Sequence, residues 1–199
     1  FRRFFFIVNT VKTMYNEKTE NNTEGVTQFI MSKADEIFIA NCTEILTNGY
    51  STEQEKVRPH WEDGSSAYTI KTFGVVNRYN LWEEFPIMTL RGINWKAAID
   101  EILWIWQKKS NRISDLSSHI WDSWADENGT IGKAYGYQLG VPYRFAEGEM
   151  DQVDHVLWQL KHTPYSRRIL TNIYNFADLM EMGLEPCAYS MTFNVTGNR

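Results

Sequence analysis

Two short segments near the end of the chain carry residue types suited to covalent chemistry on a phosphorylated substrate. Residues 164–169 include the adjacent Arg167 and Arg168, and Glu185-Pro186-Cys187 follows after a predicted strand and a short predicted helix. Nearby positive charge lowers the pKa of a thiol and favours the nucleophilic thiolate, and arginine grips a phosphate from two sides. Two guanidiniums and one thiol therefore indicate a cluster that could both bind and react.

Each of these residues also has a structural reading. Cys42, the other cysteine, lies on the apolar stripe of a predicted helix, where cysteine behaves as a small hydrophobe. Cys187 enters a predicted strand, where a cysteine is often part of the core. Adjacent arginines are common in solvated turns. Spacing alone leaves both readings of Cys187 and of the arginine pair open.

The composition excludes several classes of protein. The chain has 199 residues, 43% of them hydrophobic and 15% aromatic, which is enough to bury a substantial core. Its net charge of −5 provides no basic surface for general nucleic-acid binding, so no DNA partner is expected. Apolar runs are too short for a signal peptide or a membrane span, which favours the cytosol. The two cysteines and four histidines lack metal-ligand spacing, so we expect no metal and no disulfide framework.

The chain divides near Met31. Residues 1–30 show no sustained period, whereas a helix start follows Met31 directly. We interpret residues 1–30 as non-native or disordered leader sequence and residues 31–199 as the structured domain.

The patterns along residues 31–199 predict alternating helices and strands, with no internal repeat and no glycine-rich phosphate loop. The predicted fold class is α+β, a single domain with a mixed β-sheet core flanked by helices. Helices are predicted from Ser32 to Gly49, over 95–106 and 151–162 and near 177–182, and strands over 67–79, over 169–174 and after Cys187.

The helix predicted over 95–106 carries apolar residues around most of its circumference and should be largely buried. Asp100 and Glu101 point about 100° apart on it, so at most one of them can share the polar stripe with Lys96. A carboxylate in a poorly solvated site has a raised pKa and can act as a general acid or base. A surface ion pair is the alternative, and the sequence leaves this open.

Aromatic residues among glycines and acids follow in the segments 120–124 and 132–138. Such side chains can form the floor of a pocket for a flat heterocycle, and they can equally fill a core.

Taken together, an ordered set of motifs resembles the folate-dependent thymidylate synthase family from about Arg58 onward. The matching segments are 102–106, 120–129, 134–136, 151–152, 159–161, 166–168 and 185–187. The resemblance implies reductive methylation of dUMP to dTMP with 5,10-methylenetetrahydrofolate, a methyltransferase reaction.

Roles follow from the resemblance residue by residue. Cys187 matches the nucleophile that adds to C6 of the uracil ring, which makes C5 reactive. Glu101 matches the glutamate that organises water and proton transfer, and Tyr135 matches the tyrosine implicated in proton abstraction at C5.

The resemblance also implies where the substrates bind. Arg58 matches the arginine that binds the dUMP phosphate within its own subunit, whereas Arg167 and Arg168 match the pair donated to the partner's site. The implied assembly is therefore a homodimer whose sheets pack face to face. The residues that match the folate-binding wall are Ile120, Trp121, Trp124 and Leu184.

The chain departs from the family pattern in three places. Ala188 stands where many members have histidine, and Gln138-Leu139-Gly140 replaces a common Gln-Trp-Arg. The sequence also ends before the region that supplies further phosphate contacts and the asparagine that reads the uracil edge. We therefore expect an incomplete catalytic domain, with unpaired strand edges that would make it fold poorly or aggregate.

Two alternatives remain open at this stage. A pyrimidine-nucleotide hydroxymethylase shares the nucleophile and the arginines, and the residue that selects dUMP or dCMP lies outside this sequence. A truncated, non-catalytic fragment could instead act as a dimerisation partner or an RNA-binding regulator.

Overall fold

A computed structural model describes residues 31–197 of the chain. The chain forms two compact units, one ending at Ile93 and the other beginning at Asn94. The predicted leader, residues 1–30, lies outside the described residues, and each unit is described below by itself.

Over residues 31–93, the N-terminal unit has one helix, α1 (Lys33–Asn48). The Ser32 hydroxyl accepts a hydrogen bond from the Asp35 N–H at 3.1 Å, and the Asp35 carboxylate accepts one from the Ser32 N–H at 3.2 Å. This reciprocal capping satisfies two N–H groups that a helix start leaves unpaired. The helix ends at Gly49 and buries Cys42, so the predicted boundaries and the structural reading of Cys42 are confirmed.

The predicted strands over 67–79 are largely wrong. Only β2 (Ile70–Lys71) forms there, and it pairs antiparallel with β1 (Tyr50–Ser51). Phe73 and Val76 are exposed. The sequence does alternate between apolar and polar residues here. A strand, however, also needs a neighbouring strand that hydrogen-bonds to its backbone, and residues 72–79 have none within the described part of the chain.

Asp35 also holds a distant segment of the N-terminal unit. Its side chain is fully buried and accepts hydrogen bonds from the Thr89 N–H at 2.8 Å and the Thr89 hydroxyl at 2.5 Å. Burial raises the pKa of Asp35, but the hydrogen bonds from Thr89 and Ser32 outweigh it and hold the pKa below its usual range. One carboxylate thus caps α1 and anchors the chain 54 residues further on.

Over residues 94–197, the C-terminal unit contains three helices and four short strands, joined by loops and single 3-10 turns. The helices are α2 (Trp95–Trp106), α3 (Gly136–Gly140) and α4 (Gln152–His162), and the strands are β3 (Tyr143–Phe145), β4 (Gly148–Met150), β5 (Leu170–Asn172) and β6 (Ser190–Thr192). The predicted helices over 95–106 and 151–162 are confirmed. The helix predicted near 177–182 is a 3-10 turn, Leu179–Glu181.

The helices and small sheets are consistent with the predicted α+β class, but the mixed sheet is absent from residues 31–197. The strands there form three separate antiparallel pairs, β1 with β2, β3 with β4, and β5 with β6. Each strand is only two or three residues long. A mixed sheet needs at least one parallel pairing, and none of these pairs provides it.

The predicted burial of α2 is wrong for most of its surface. Trp104 and Ile105 are buried, whereas Trp95, Ile99 and Ile102 are about half exposed. Within its unit, α2 packs chiefly against α3. A helix that is apolar all round is fully buried only when neighbours cover every side.

The core of the C-terminal unit brings two distant loop segments into contact. The Lys133 N–H donates to the Glu181 carbonyl at 2.9 Å, and the Gly183 N–H donates to the Ile131 carbonyl at 3.0 Å. Gly132, between these contacts, has a φ of +65°, and a Cβ placed there would lie 1.9 Å from the Glu181 carbonyl oxygen. Only glycine permits both this backbone conformation and this approach. We call this contact the 131–183 crossing.

We predict that Asp35→Asn destabilises the N-terminal unit by about 1–3 kcal/mol at pH 7, because an amide NH₂ would face a donor from Thr89 or Ser32. The folded-state pKa of Asp35 lies below the unfolded value, so its contribution is present above the unfolded pKa and is lost as the pH falls through the folded pKa. Urea unfolding at pH 7 and at acidic pH measures both effects. The exposed Glu44→Gln on the same helix is the control, and an equal loss in that variant would contradict the prediction.

We predict that Gly132→Ala is far more damaging than Gly129→Ala. The two glycines have similar φ values, +65° and +69°, but the nearest atom to a Cβ at Gly129 is 4.0 Å away. Gly129→Ala should therefore cost only the left-handed backbone penalty of about 1–2 kcal/mol. Gly132→Ala adds a collision with backbone and should cost about 4 kcal/mol or more. Urea unfolding measures both variants. Equal unfolding midpoints would contradict the prediction, because they would show that the backbone at the 131–183 crossing leaves room for a Cβ.

Candidate active site

Cys187 lies next to Tyr135 at the surface of the C-terminal unit. Its backbone N–H donates a hydrogen bond to the Tyr135 hydroxyl at 3.1 Å, and the residue is exposed. Pro186, directly before it, is buried and fixes the approach of the loop. Two residues that are 52 positions apart in sequence are thus in direct contact, and the thiol is accessible from solvent.

Tyr135 has an unusual backbone conformation. It precedes α3 with a φ of +43°, although its side chain is only 7% exposed. Such a conformation in a residue other than glycine costs about 1–3 kcal/mol and persists only where the surroundings impose it. The next residue, Gly136, lies so close to the Ser110 carbonyl that a Cβ there would be 2.2 Å away. Close backbone packing therefore holds the turn that carries Tyr135.

The hydroxyl of Tyr135 stays protonated across the physiological pH range. Burial is the main cause that raises its pKa, and it outweighs the lowering effect of the hydrogen bond from the Cys187 N–H. A neutral phenol can accept this hydrogen bond and still donate its own proton to a further acceptor. Tyr135 is therefore equipped to pass a proton beside the thiol.

Glu101 joins the same cluster through Trp121. The Trp121 indole N–H donates to Glu101 Oε1 at 2.7 Å, and the Trp121 ring meets the Tyr135 ring edge to face with centroids 5.3 Å apart. The second oxygen of Glu101 has no hydrogen-bond partner among residues 31–197. Asp100 instead accepts a hydrogen bond from the Ser117 N–H at 2.8 Å. The geometry thus separates the two carboxylates, and Glu101 is the one directed at the cluster.

The residues predicted to bind the folate surround Trp121. Trp124 packs against its ring edge to face with centroids 5.4 Å apart, and Leu184 packs against the same core. Trp124 and Ile120 remain 41% and 47% exposed. An apolar, partly exposed surface therefore lies beside Tyr135 and Cys187, and it suits a flat ring system.

The predicted phosphate-binding arginines lie apart from this hydrogen-bonded cluster. Arg167 and Arg168 are exposed in the loop between α4 and β5, and neither forms an ion pair within the described residues. Arg168 borders a cavity of about 530 Å³, whose lining also includes Gln152, His155 and Asn172. Arg58 belongs to the N-terminal unit, where it is exposed.

Sequence reasoning missed a polar junction beside the turn that carries Tyr135, formed by Lys133, Gln138, Asn175 and Asp178. The Lys133 ammonium contacts Asp178 at 3.0 Å, and Gln138, only 1% exposed, donates to Asp178 at 2.9 Å. Hydrogen bonds from Gln138 and then Lys133 lower the pKa of Asp178. These partners lie 40 to 45 positions apart, so no periodicity could have indicated the junction.

Two properties of the described part of the chain bear on cofactors and location. Residues 31–197 contain no cluster of three acidic, histidine or cysteine side chains arranged to hold a metal ion. The helices in the same range are all too short or too polar to cross a bilayer. A cytosolic location stays a prediction.

Comparisons with known proteins agree with these observations. The family model for thymidylate synthase matches residues 36–199. Thymidylate synthase from Bacillus licheniformis is 45% identical over 170 residues, which are 83% of this chain and 61% of that protein. Thymidylate synthase 1 from Bacillus subtilis strain 168 is 44% identical over the same coverage. The solved structure of thermostable thymidylate synthase A from Bacillus subtilis has a TM-score of 0.75 and 41% identity, covering 82% of this chain and 60% of that one.

The chain spans about three fifths of the length of the relatives it matches. The match extends through both compact units and includes every residue of the cluster around Cys187. Sequence motifs, family model and structural similarity all lead to the same assignment: this chain belongs to the thymidylate synthase family.

Proposed function

We propose that the protein converts dUMP to dTMP with 5,10-methylenetetrahydrofolate, and that Cys187 is its nucleophile. The observation that carries this proposal is the continuous set of contacts from Glu101 through Trp121 and Tyr135 to Cys187. It joins a solvent-accessible thiol, a neutral phenol and a carboxylate with one unpaired oxygen. These are the groups needed to add to a pyrimidine ring and to move protons around it.

In the proposed reaction, the Cys187 thiolate forms a bond to C6 of the uracil and the electron pair moves to C5. C5 then forms a bond to the one-carbon unit as the bond from that unit to one folate nitrogen breaks. The proton on C5 leaves to a base, with Tyr135 and Glu101 proposed to transfer protons by water or directly, and the bond to the second folate nitrogen breaks to leave a methylene group on C5. A hydride from the tetrahydrofolate reduces this methylene group to a methyl group as the thiolate leaves C6, which gives dTMP and dihydrofolate.

Trp121 has two roles in this proposal. Its ring, with Ile120, Trp124 and Leu184, forms the wall for the folate, and its indole N–H orients Glu101. Orientation by a rigid, packed indole fixes the carboxylate without neutralising its charge.

Charge and exposure support a dimeric site. Arg167 and Arg168 are unpaired cations among the described residues, and two phosphate oxygens match the fork of a guanidinium. The adjoining β5–β6 pair exposes Met191 on one face, with Tyr189 two residues before it, and Leu170 on the opposite face. Exposed apolar side chains on a sheet suit packing against another sheet. We propose a homodimer with face-to-face sheets, in which the arginine pair binds the dUMP of the partner and Arg58 binds the dUMP of its own subunit.

The direct test is covalent labelling. The chain is incubated with 5-fluoro-dUMP and methylenetetrahydrofolate, and its intact mass is measured. We expect an added mass of both ligands that maps to Cys187, because fluorine at C5 prevents completion of the reaction.

Cys187→Ser should give no adduct, since a hydroxyl is a far weaker nucleophile at neutral pH. The matched control is Cys42→Ser, which alters the other, buried cysteine and should still be labelled. Labelling of Cys187→Ser, or none of the parent chain, would contradict the proposal.

The shared site predicts subunit complementation. An Arg167→Ala chain and a Cys187→Ser chain are each expected to form few adducts alone. In a randomly mixed dimer population, one site of each heterodimer combines an intact Cys187 with an intact Arg167 from the partner. Labelling should then recover to about one quarter of all sites, the statistical share for a C2 dimer. Failure to recover, with both chains shown to exchange subunits, would place Arg167 in its own subunit's site.

A further inference from the structure

The polar junction of Lys133, Gln138, Asn175 and Asp178 touches none of the groups assigned to the reaction. It lies between the turn that carries Tyr135 and the loop that leads to Cys187. Lys133 and Gln138 stand two residues before and three residues after Tyr135, whereas Asn175 and Asp178 begin the loop on the other side. The junction therefore spans the two segments whose side chains must meet.

Asp178 is the centre of the junction. Its Oδ1 accepts from the Lys133 ammonium at 3.0 Å, and its Oδ2 accepts from Gln138 at 2.9 Å and from Asn175 at 2.7 Å. Every partner is a donor. A carboxylate can satisfy all of them, whereas an amide of the same shape has only one acceptor oxygen.

Gln138 fixes the orientation of the junction relative to the Tyr135 turn. Its amide nitrogen donates both to Asp178 and to the Lys133 carbonyl, each at 2.9 Å, and the side chain is buried. Rotation of this side chain would leave a buried polar group without a partner, which costs more than an ordinary hydrogen bond contributes. Gln138 thus closes a loop of contacts around the strained turn at Tyr135.

We propose that Asp178 is a positioning residue for the Tyr135–Cys187 pair. It holds the Tyr135 turn, through Lys133 and Gln138, at a fixed distance from the loop that ends in Cys187. The 131–183 crossing fixes the same two segments by backbone alone, and Asp178 adds the side-chain contacts that set the orientation of the turn. Its relevance to catalysis rests on the proposed function of Cys187.

Glu181 provides a matched comparison within the same structure. It also contacts the Lys133 ammonium, at 2.9 Å, but its side chain is 58% exposed and forms no bond to Gln138 or Asn175. Glu181→Gln therefore removes a carboxylate from the same lysine without disturbing the rest of the junction. Asp178→Asn removes the negative charge and also replaces one acceptor oxygen with an NH₂ group, which faces the donors of the junction.

Amide hydrogen exchange measured by NMR tests the positioning directly in the 199-residue chain. The Cys187 N–H is protected by its bond to the Tyr135 hydroxyl, whereas the His155 N–H in α4 donates to the Asp151 carbonyl and reports the general stability of the unit. Asp178→Asn should speed exchange at Cys187 by about tenfold relative to His155, the ratio for losing one hydrogen bond to a charged group. Glu181→Gln should leave the ratio unchanged, and Asp178→Glu, which keeps the carboxylate, should restore part of the protection.

Adduct formation with 5-fluoro-dUMP adds a kinetic readout. Asp178→Asn should lower the maximal rate of adduct formation while the half-saturating concentration of nucleotide stays near that of the parent, because the residue does not touch the nucleotide. If the parent forms no adduct, the proposed function fails for this chain, and amide exchange still decides the positioning role.

The inference is overturned if folded Asp178→Asn keeps the parent's exchange ratio, or if Glu181→Gln changes it equally. If Asp178→Asn does not fold, Lys133→Met replaces it. That variant keeps the Gln138 and Asn175 bonds to Asp178 and should give a smaller change in the same direction. No change of the ratio in folded Lys133→Met would then overturn the inference.

Discussion

The 131–183 crossing is the constraint on which the rest of the C-terminal unit depends. Two segments outside the α-helices and paired strands meet there by backbone hydrogen bonds, at a distance that only Gly132 allows. On one side the chain continues into the strained turn at Tyr135, and on the other it continues to Cys187. Their contact follows from the crossing, because each residue is only a few positions beyond it. The polar junction around Asp178 forms at the same place and gives the crossing a fixed orientation.

The electrostatics of the site follow from the same packing. Burial keeps the Tyr135 hydroxyl protonated, so a neutral group stands beside the thiol. Trp121 lies between Tyr135 and Glu101 and binds the carboxylate through its indole N–H. Glu101 is the charged residue of this cluster, whereas Arg167 and Arg168 lie apart from it and are exposed to solvent and ligands. In the proposed reaction, this separates proton transfer from phosphate binding.

Sequence patterns predicted the helices better than the strands. The caps at Ser32 and Asp151 and the stop at Gly49 define helix ends by contacts within four residues, so their positions could be read directly. A strand depends on a partner elsewhere in the chain, and the alternating residues over 67–79 have none in the described part. For the same reason the apolar circumference of α2 predicted more burial than its neighbours in the C-terminal unit provide.

The sequence by itself determined the ends of α1, α2 and α4, the structural role of Cys42 and, through the order of its motifs, the family. It left Asp100 and Glu101 nearly equivalent on one helix until the family resemblance favoured Glu101. Only the tertiary structure separated their contacts, by placing Ser117 beside one and Trp121 beside the other. It alone joined Tyr135 to Cys187 and assembled the junction around Asp178. The physical reason is that the contacts between separate segments connect residues 17 to 52 positions apart, where no local periodicity acts and only the packing of the core decides which groups meet.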